Sequence, residues 1–325
     1  MTEGAADDGR ERFLGLLDQL PLSDPRDDID TASLKRRFPA LADVEVTDLE
    51  LDGPHGPIPS RRYVGPRGSG SGPGLVWVHG GAFVTGDLDM PESQWVGLEL
   101  AARGIPVLAL DYRKAVGGVH HPVQSDEVLA GWLAAVRGDL LGVDTQRLHL
   151  GGASAGANLS AGVVGRLMAE SLPRPASLIL VYPVLHGVLP PASPAAAAAA
   201  ETLPPELRFT PAFMRAVNLN FVGEPRRLCD AVAFPANGVV PGLPPTLVLT
   251  AEADDLRASG EAYATQLAEA GIPVAIDFEH GTVHGYLDHP GLGAAVASID
   301  RLARWLTADR GPRASPNPVA AGYSA

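Results

Sequence analysis

From Leu75 onward the chain alternates short, wholly apolar runs with longer helical ones: "GLVWVHGG", "ESQWVGLELAARG", "IPVLALDYR", "VQSDEVLAGWLAAVRG", "RLHLGGAS", "AGANLSAGVVGRLMAE" and "ASLILVYPV". A strand that is apolar at every position has to be covered on both faces, and strands separated by helices can run parallel because each helix carries the chain back to the same edge. The expected fold class is therefore α/β, with a mostly parallel central sheet and helices on both faces. With 325 residues, 46% of them hydrophobic, the chain can bury a large core, so one large domain or one with an appended lid is expected.

Before this alternation, Phe13, Leu14, Leu16, Leu17 and Leu20 recur at helical spacing, which predicts an amphipathic helix over about 10–20. "VEVTDLELDG" and "SRRYVG" look like strands, followed by a surface loop "PRGSGSGPG". Residues 187–242 interrupt the pattern with prolines, the low-complexity run "PAAAAAA" and one helix around "TPAFMRAVNLNFVG", where Thr210 and Pro211 have the character of an N-cap and first turn. An insertion there would lie over the sheet as a lid. The alternation resumes with "PTLVLTAEAD", "RASGEAYATQLAEAG", "PVAIDFEHG" and "AAVASIDRLARWLTA", and from 311 the composition is that of a disordered tail.

The formal net charge of -13 and the scatter of the 25 Lys and Arg give no basic footprint for nucleic acid or an anionic membrane. A single cysteine, Cys229, excludes an internal disulfide and a multi-cysteine metal site. The start, "MTEGAADDGRERF", has no basic segment followed by an apolar one, so a cytoplasmic protein is the default expectation.

Ser154 lies in Gly-x-Ser-x-Gly between the strand "RLHL" and the helix that starts near Ala155. That is the context a nucleophile elbow requires, because the serine must project from a tight turn at the carboxyl end of a strand. A serine needs a general base, and the base needs a carboxylate to hold its tautomer, in the chain order Ser, acid, His on such a sheet. Among nine histidines only His280, His284 and His289 follow the last strands; "GTVHGYL" puts His284 in a glycine-flanked loop, which makes it the candidate base. "LVLTAEADDLRASG" offers Glu252, Asp254 and Asp255 for the acid, although acidic residues there would also cap the following helix. The loop "VWVHGGAFVTGD" could turn the Gly81 and Ala82 N–H groups toward an oxyanion, together with the Ala155 N–H that follows the serine.

From about Val44 to Leu306 these motifs resemble the hormone-sensitive-lipase family of bacterial esterases, family IV of the carboxylesterases, which have an α/β-hydrolase fold and an N-terminal cap. "HGGAF" is similar to the family's His-Gly-Gly-Gly loop, "DYR" to its Asp-Tyr-Arg, "GGASAGANLS" to its Gly-Asp-Ser-Ala-Gly-Gly-Asn-Leu elbow, and "AEADDLRASGEAYATQL" to its Ala-Glu-x-Asp-x-Leu-Arg-Asp-x-Gly. The last match singles out Asp254 as the triad acid. The resemblance implies a serine carboxylesterase acting on esters of short to medium acyl chains through Ser154, Asp254 and His284 and an acyl-enzyme intermediate, with Gly81, Ala82 and Ala155 as the oxyanion hole. It needs no cofactor or metal, takes a small-molecule ester as its partner, and is a monomer or homodimer. It also divides the chain into an N-terminal cap segment (1–43), a catalytic domain (44–310) with a cap insertion at about 187–242, and the tail (311–325). Phe13, Phe209, Phe213, Met214 and Phe221 are pocket candidates, though apolar residues at helical spacing more often pack a cap against its core.

The departures are local. Ala82 replaces the loop's last glycine and brings a methyl group near the acyl carbon; Ala153 replaces a polar residue before the serine; Ala258 replaces an Asp; and "RKAVGGVHHPVQ" stands in place of Arg-Leu-Ala-Pro-Glu and Phe-Pro at the pocket mouth. Two rivals share the motifs: an amidase or peptidase using the same three residues, and a ligand-binding protein that keeps the fold without turnover.

Overall fold

The structure, a computed structural model, describes residues 3–20, 29–66, 70, 72–238 and 241–309. The loop expected at 66–74 falls partly, and the tail expected from 311 wholly, outside the described residues.

Eight strands form one sheet in the order β1-β2-β4-β3-β5-β6-β7-β8: β1 (Glu45–Leu51), β2 (Ile58–Val64), β3 (Gly74–Val78), β4 (Val107–Leu110), β5 (Leu148–Ala153), β6 (Leu178–Val181), β7 (Thr246–Ala253) and β8 (Val274–Val283). β2 pairs antiparallel with β1 and β4, and the six strands from β3 onward are joined by parallel pairs. The apolar runs explain the layering. Within β3, Val76 and Val78 enter one core with Leu108, Leu110, Leu150, Leu180 and Val248, while the alternate residues Leu75 and Trp77 enter another with Val107, Ala109, Ile179, Val181 and Leu249.

The first core is closed by α4 (Val123–Arg137), α5 (Ala155–Ala169) and α8 (Arg257–Glu269), through residues such as Trp132, Leu159 and Leu267. The second is closed by α3 (Pro91–Ala102) and α9 (Gly293–Thr307), through Trp95, Leu98, Ile299 and Leu302. Each such side chain contributes about 1.5–3 kcal/mol on burial, which is why both faces of the sheet demand a helical layer.

Four further helices lie before and within this frame: α1 (Glu3–Asp18) and α2 (Thr31–Arg37) precede β1, and α6 (Pro194–Glu201) and α7 (Pro211–Val222) fall between β6 and β7. α7 begins where its sequence predicts: the Thr210 hydroxyl accepts from the Phe213 N–H at 3.3 Å, Pro211 opens the first turn, and Gly223 ends it at φ 75°. The alanine run is a helix rather than a featureless segment, because Ser193 caps it and alanine is the best helix former. α1 packs on α7. Phe13 meets the edge of Phe213 at 6.1 Å, and an ideal Cβ on Gly9 would fall 2.5 Å from the Phe213 nitrogen, so the two backbones approach as closely as glycine allows.

Candidate active site

β5 ends at Ala153 and α5 starts at Ala155, so Ser154 is the whole turn. Its backbone sits at φ 51°, ψ -115°, a sparsely populated region for a side chain with a Cβ. Its N–H donates to the Val181 carbonyl at 2.9 Å, which anchors the strained residue to β6. The flanking glycines are there for space: an added Cβ would lie 2.5 Å from the Val78 oxygen at Gly152 and 2.0 Å from it at Gly156. The small residues let the elbow sit directly on the end of β3.

From β8 comes His284, immediately after Val283, and from β7 comes Asp254. The Ser154 Oγ and the His284 Nε2 are 2.9 Å apart; the His284 Nδ1 and the Asp254 Oδ2 are 2.8 Å apart. The Asp254 side chain is fully buried, and its other oxygen accepts from the Leu256 N–H at 2.9 Å. The β7–β8 register shifts between Ala251 and Ala253, a bulge that re-aims the strand just before the acid. With Nδ1 donating to the carboxylate, Nε2 of a neutral imidazole is left to accept from the serine hydroxyl. The rings of Tyr182 and Phe209 lie 4.8 Å and 4.5 Å from that of His284.

The other sequence candidates fall elsewhere. Asp255 accepts a two-point hydrogen bond from the Arg208 guanidinium, at 2.8 Å to each oxygen, and a third from the Phe209 N–H. Glu252 accepts from the Gly281 N–H, and His280 and His289 are exposed. Of the aromatic and Met candidates, Phe13, Phe213, Met214 and Phe221 are buried in the core that includes α7, and Phe209 is half-buried against His284.

The loop after β3 lies against the serine: an ideal Cβ on Gly80 would be 3.4 Å from that of Ser154. Gly81, Ala82 and Phe83 all have positive φ, of 109°, 51° and 65°. Among the described residues, the N–H groups of Gly81, Ala82 and Ala155 have no intramolecular acceptor. Ala155 also opens α5, whose positive dipole end favours negative charge. Behind Ala82, Phe83 stacks on Phe221 of α7 at 3.9 Å. The Phe83 carbonyl accepts from the Ala115 N–H, and the Ala115 carbonyl from the Asn220 amide. The unusual 114–122 loop thus ties the loop after β3 to α7.

Beneath the loop lie groups to which the sequence motifs assigned no role. Glu92, in the first turn of α3, is fully buried and accepts from the Trp77 Nε1–H at 2.5 Å and the Gly80 N–H at 3.0 Å. Burial, and next the nearby Asp288 carboxylate, push its carboxyl up to about 8, against those two donors. In the sequence it is indistinguishable from an acidic residue that merely complements a helix dipole. His79, Asp111, Tyr112 and Lys114 form a second cluster on the other side of Gly80. Asp111 is held down at about 2: burial would raise it, but the hydrogen bond with His79 and the Lys114 ammonium outweigh that.

The model of the α/β hydrolase fold family matches residues 75–288, about two thirds of the chain and all of the elements that carry this geometry. Esterase LipI of Mycobacterium tuberculosis is 30% identical over 307 residues, which cover 92% of this chain and 93% of the relative. The chain belongs to the hormone-sensitive-lipase-like esterases of the α/β hydrolase fold. This esterase is also 30% identical to the ethyl acetate hydrolase of Pseudomonas putida over 267 residues, 78% of this chain and 79% of that one. A solved esterase structure from Pyrobaculum calidifontis superposes with a TM-score of 0.73 at 25% identity, covering 93% of this chain and 92% of that one. These relatives are named as esterases or carboxylic ester hydrolases, and the chain is a carboxylic ester hydrolase of that family. Among the described residues no helix is long and apolar enough to cross a membrane.

Proposed function

We propose that the chain is a serine carboxylesterase in which Ser154 is the nucleophile, His284 the general base and acid, and Asp254 the residue that orients the imidazole. The observation that carries this is the unbroken hydrogen-bond chain from the Ser154 Oγ through His284 to a buried Asp254 carboxylate, 2.9 Å and then 2.8 Å. His284 Nε2 takes the serine proton as Oγ attacks the ester carbonyl, and Asp254 stabilises the imidazolium that forms. The N–H groups of Gly81, Ala82 and Ala155, preorganised and without internal acceptors, receive the oxyanion. Collapse of the tetrahedral intermediate expels the alcohol, protonated by His284, and leaves an acyl-Ser154 ester. A water deprotonated by His284 then attacks this ester, releasing the acid and restoring the serine.

Short to medium acyl chains are the proposed substrates. In support, Ala82 puts a methyl group where the family has none, Phe209 lies against His284, and one relative is named for ethyl acetate. We also assign 1–43 and 187–242 to a cap over the catalytic domain 44–310, because α1 docks on α7 and α7 in turn on the oxyanion loop through Phe83 and Phe221.

Hydrolysis of p-nitrophenyl acetate, butyrate, octanoate and palmitate by the wild type and Ser154→Ala tests this function. Turnover should favour acetate and butyrate and be abolished in the variant. A variant that keeps its turnover would sink the mechanism, and a preference for palmitate would overturn the acyl assignment.

A further inference from the structure

Gly80 is held from both sides. Its N–H goes to Glu92, and its carbonyl accepts from the Tyr112 hydroxyl at 3.0 Å and from His79 Nδ1 at 2.7 Å. A carbonyl only accepts, so Nδ1 carries a proton. In a trans peptide the N–H points opposite to the C=O, so pinning the Gly80 oxygen against His79 and Tyr112 turns the Gly81 N–H the other way. The protonation of the second ring nitrogen is then decided by what faces it.

His79 Nε2 faces two groups of opposite demand: Asp111 Oδ1 at 2.8 Å, which would have it protonated, and Lys114 Nζ at 3.3 Å, which would have it accept. Lys114 also donates to Asp111 and to the Tyr112 carbonyl, and lies 4.3 Å above the Tyr112 ring, which itself stacks on His79 at 4.5 Å. This lysine stands in "RKAVGG", where the family motif has leucine. A largely buried ammonium on the underside of an oxyanion loop is therefore a feature of this chain.

We infer that Lys114 is a positioning residue of the oxyanion loop: it neutralises Asp111 and donates to His79 Nε2. The imidazole is thereby kept neutral with its proton on Nδ1, and the Gly80 carbonyl and Gly81 N–H are fixed in their working orientation. The inference rests on the proposed role of the Gly81 N–H. Burial and, next, the Lys114 charge lower the affinity of His79 for a second proton, in the same direction. The other titratable groups acting on the cluster are Glu92, on α3, which faces Tyr112, Asp87, on the loop after β3, and Glu127, on α4; burial works against the Lys114 ammonium, whereas Asp111, Asp87 and Glu127 favour it. Without Lys114 the charge balance changes: Asp111 alone would face His79 Nε2 and draw a proton onto it, giving an imidazolium–carboxylate pair.

The test combines nitrogen NMR of the His79 ring with kinetics. In the wild type Nδ1 should be protonated, Nε2 unprotonated, and neither should titrate between pH 6 and 9. An imidazolium in the wild type at pH 7 would overturn the proposal, and this needs no variant to fold. In Lys114→Met the ring should become an imidazolium at pH 7. For p-nitrophenyl butyrate, kcat should fall by about tenfold, less than the ~10²–10³ cost of deleting an oxyanion donor, with KM within about twofold. Lys114→Arg, which keeps the charge and donors, should recover most of the kcat. An unchanged kcat in Lys114→Met, a loss carried by KM, or no recovery in Lys114→Arg would each refute the assignment. If Ser154→Ala retains turnover, the failure belongs to the proposed mechanism instead.

Discussion

At the residue scale, the turn at Ser154 stores strain that the proposed nucleophile requires and stability does not. A backbone at φ 51°, ψ -115° costs a residue bearing a Cβ of order 1–3 kcal/mol. Ser154→Gly should therefore raise the unfolding free energy by about 1 kcal/mol while abolishing turnover, and Ser154→Ala, which keeps the Cβ, should abolish turnover with little change in stability. Urea titration of the three proteins separates these outcomes; a Ser154→Gly variant less stable than wild type would contradict the strain argument. Gly156→Ala is the opposite case. Its Cβ would sit 2.0 Å from a backbone oxygen that cannot move without displacing β3, so a loss of more than ~4 kcal/mol or failure to fold is expected. In the proposed triad, Asp254→Asn leaves the packing intact but favours the wrong imidazole tautomer, and kcat should drop by about 10⁴.

At the scale of elements, the connection that matters runs from α1 through the segment after β6 to the loop that bears Asp254. The Arg12 guanidinium on α1 donates to the carbonyls of Arg208 at 2.6 Å and Glu206 at 2.7 Å; Arg208 in turn clamps Asp255, and the Phe209 ring lies on His284. A carboxylate next to the proposed acid thus works structurally, holding the 208–209 segment over the imidazole. Asp255→Ala should release Phe209, raising KM for p-nitrophenyl butyrate severalfold while kcat changes by less than about threefold. Labelling of Ser154 by a small organophosphonate should proceed as in wild type. A collapse of kcat at constant KM would instead place Asp255 in the chemistry.

For the whole molecule, the buried Glu92 makes stability depend on pH in a region where few other groups titrate. Its carboxyl ionises near 4.5 when unfolded and at about 8 when folded. Between those values the folded chain keeps a proton the unfolded chain has released, so raising the pH disfavours folding; the cost is absent below 4.5 and complete above 8. His186, lowered by burial to about 4, acts in the other direction, but only below its unfolded value of 6.5, and Asp111 only below 3.8. The window from pH 6.5 to 8 therefore reports Glu92. The midpoint of thermal unfolding should fall across it in the wild type and stay nearly level in Glu92→Gln. An equal slope in both proteins would remove Glu92 as the cause.

By itself the sequence determined the layered sheet, because strands such as "GLVWV" and "SLILV" are apolar on both faces and can exist only between two helical layers. The tight turn at Ser154 was legible in it from Gly152 and Gly156 between a strand and a helix, and the structure adds that both glycines pack against the Val78 carbonyl, where a side chain does not fit. The sequence brought His284 and three acidic candidates to the carboxyl ends of neighbouring strands, and motif resemblance alone ranked Asp254 above Asp255 and Glu252. What separates those three carboxylates is a bulge in β7 and the position of Arg208, about 47 residues away along the chain, and neither leaves a local pattern. Glu92 and Lys114 were invisible for the same reason: a helix N-terminal glutamate and a loop lysine look solvated until the fold buries them. Local periodicity sets which face of an element is covered, whereas the charge and protonation of a buried group depend on partners that only the packing of distant segments brings within hydrogen-bond reach.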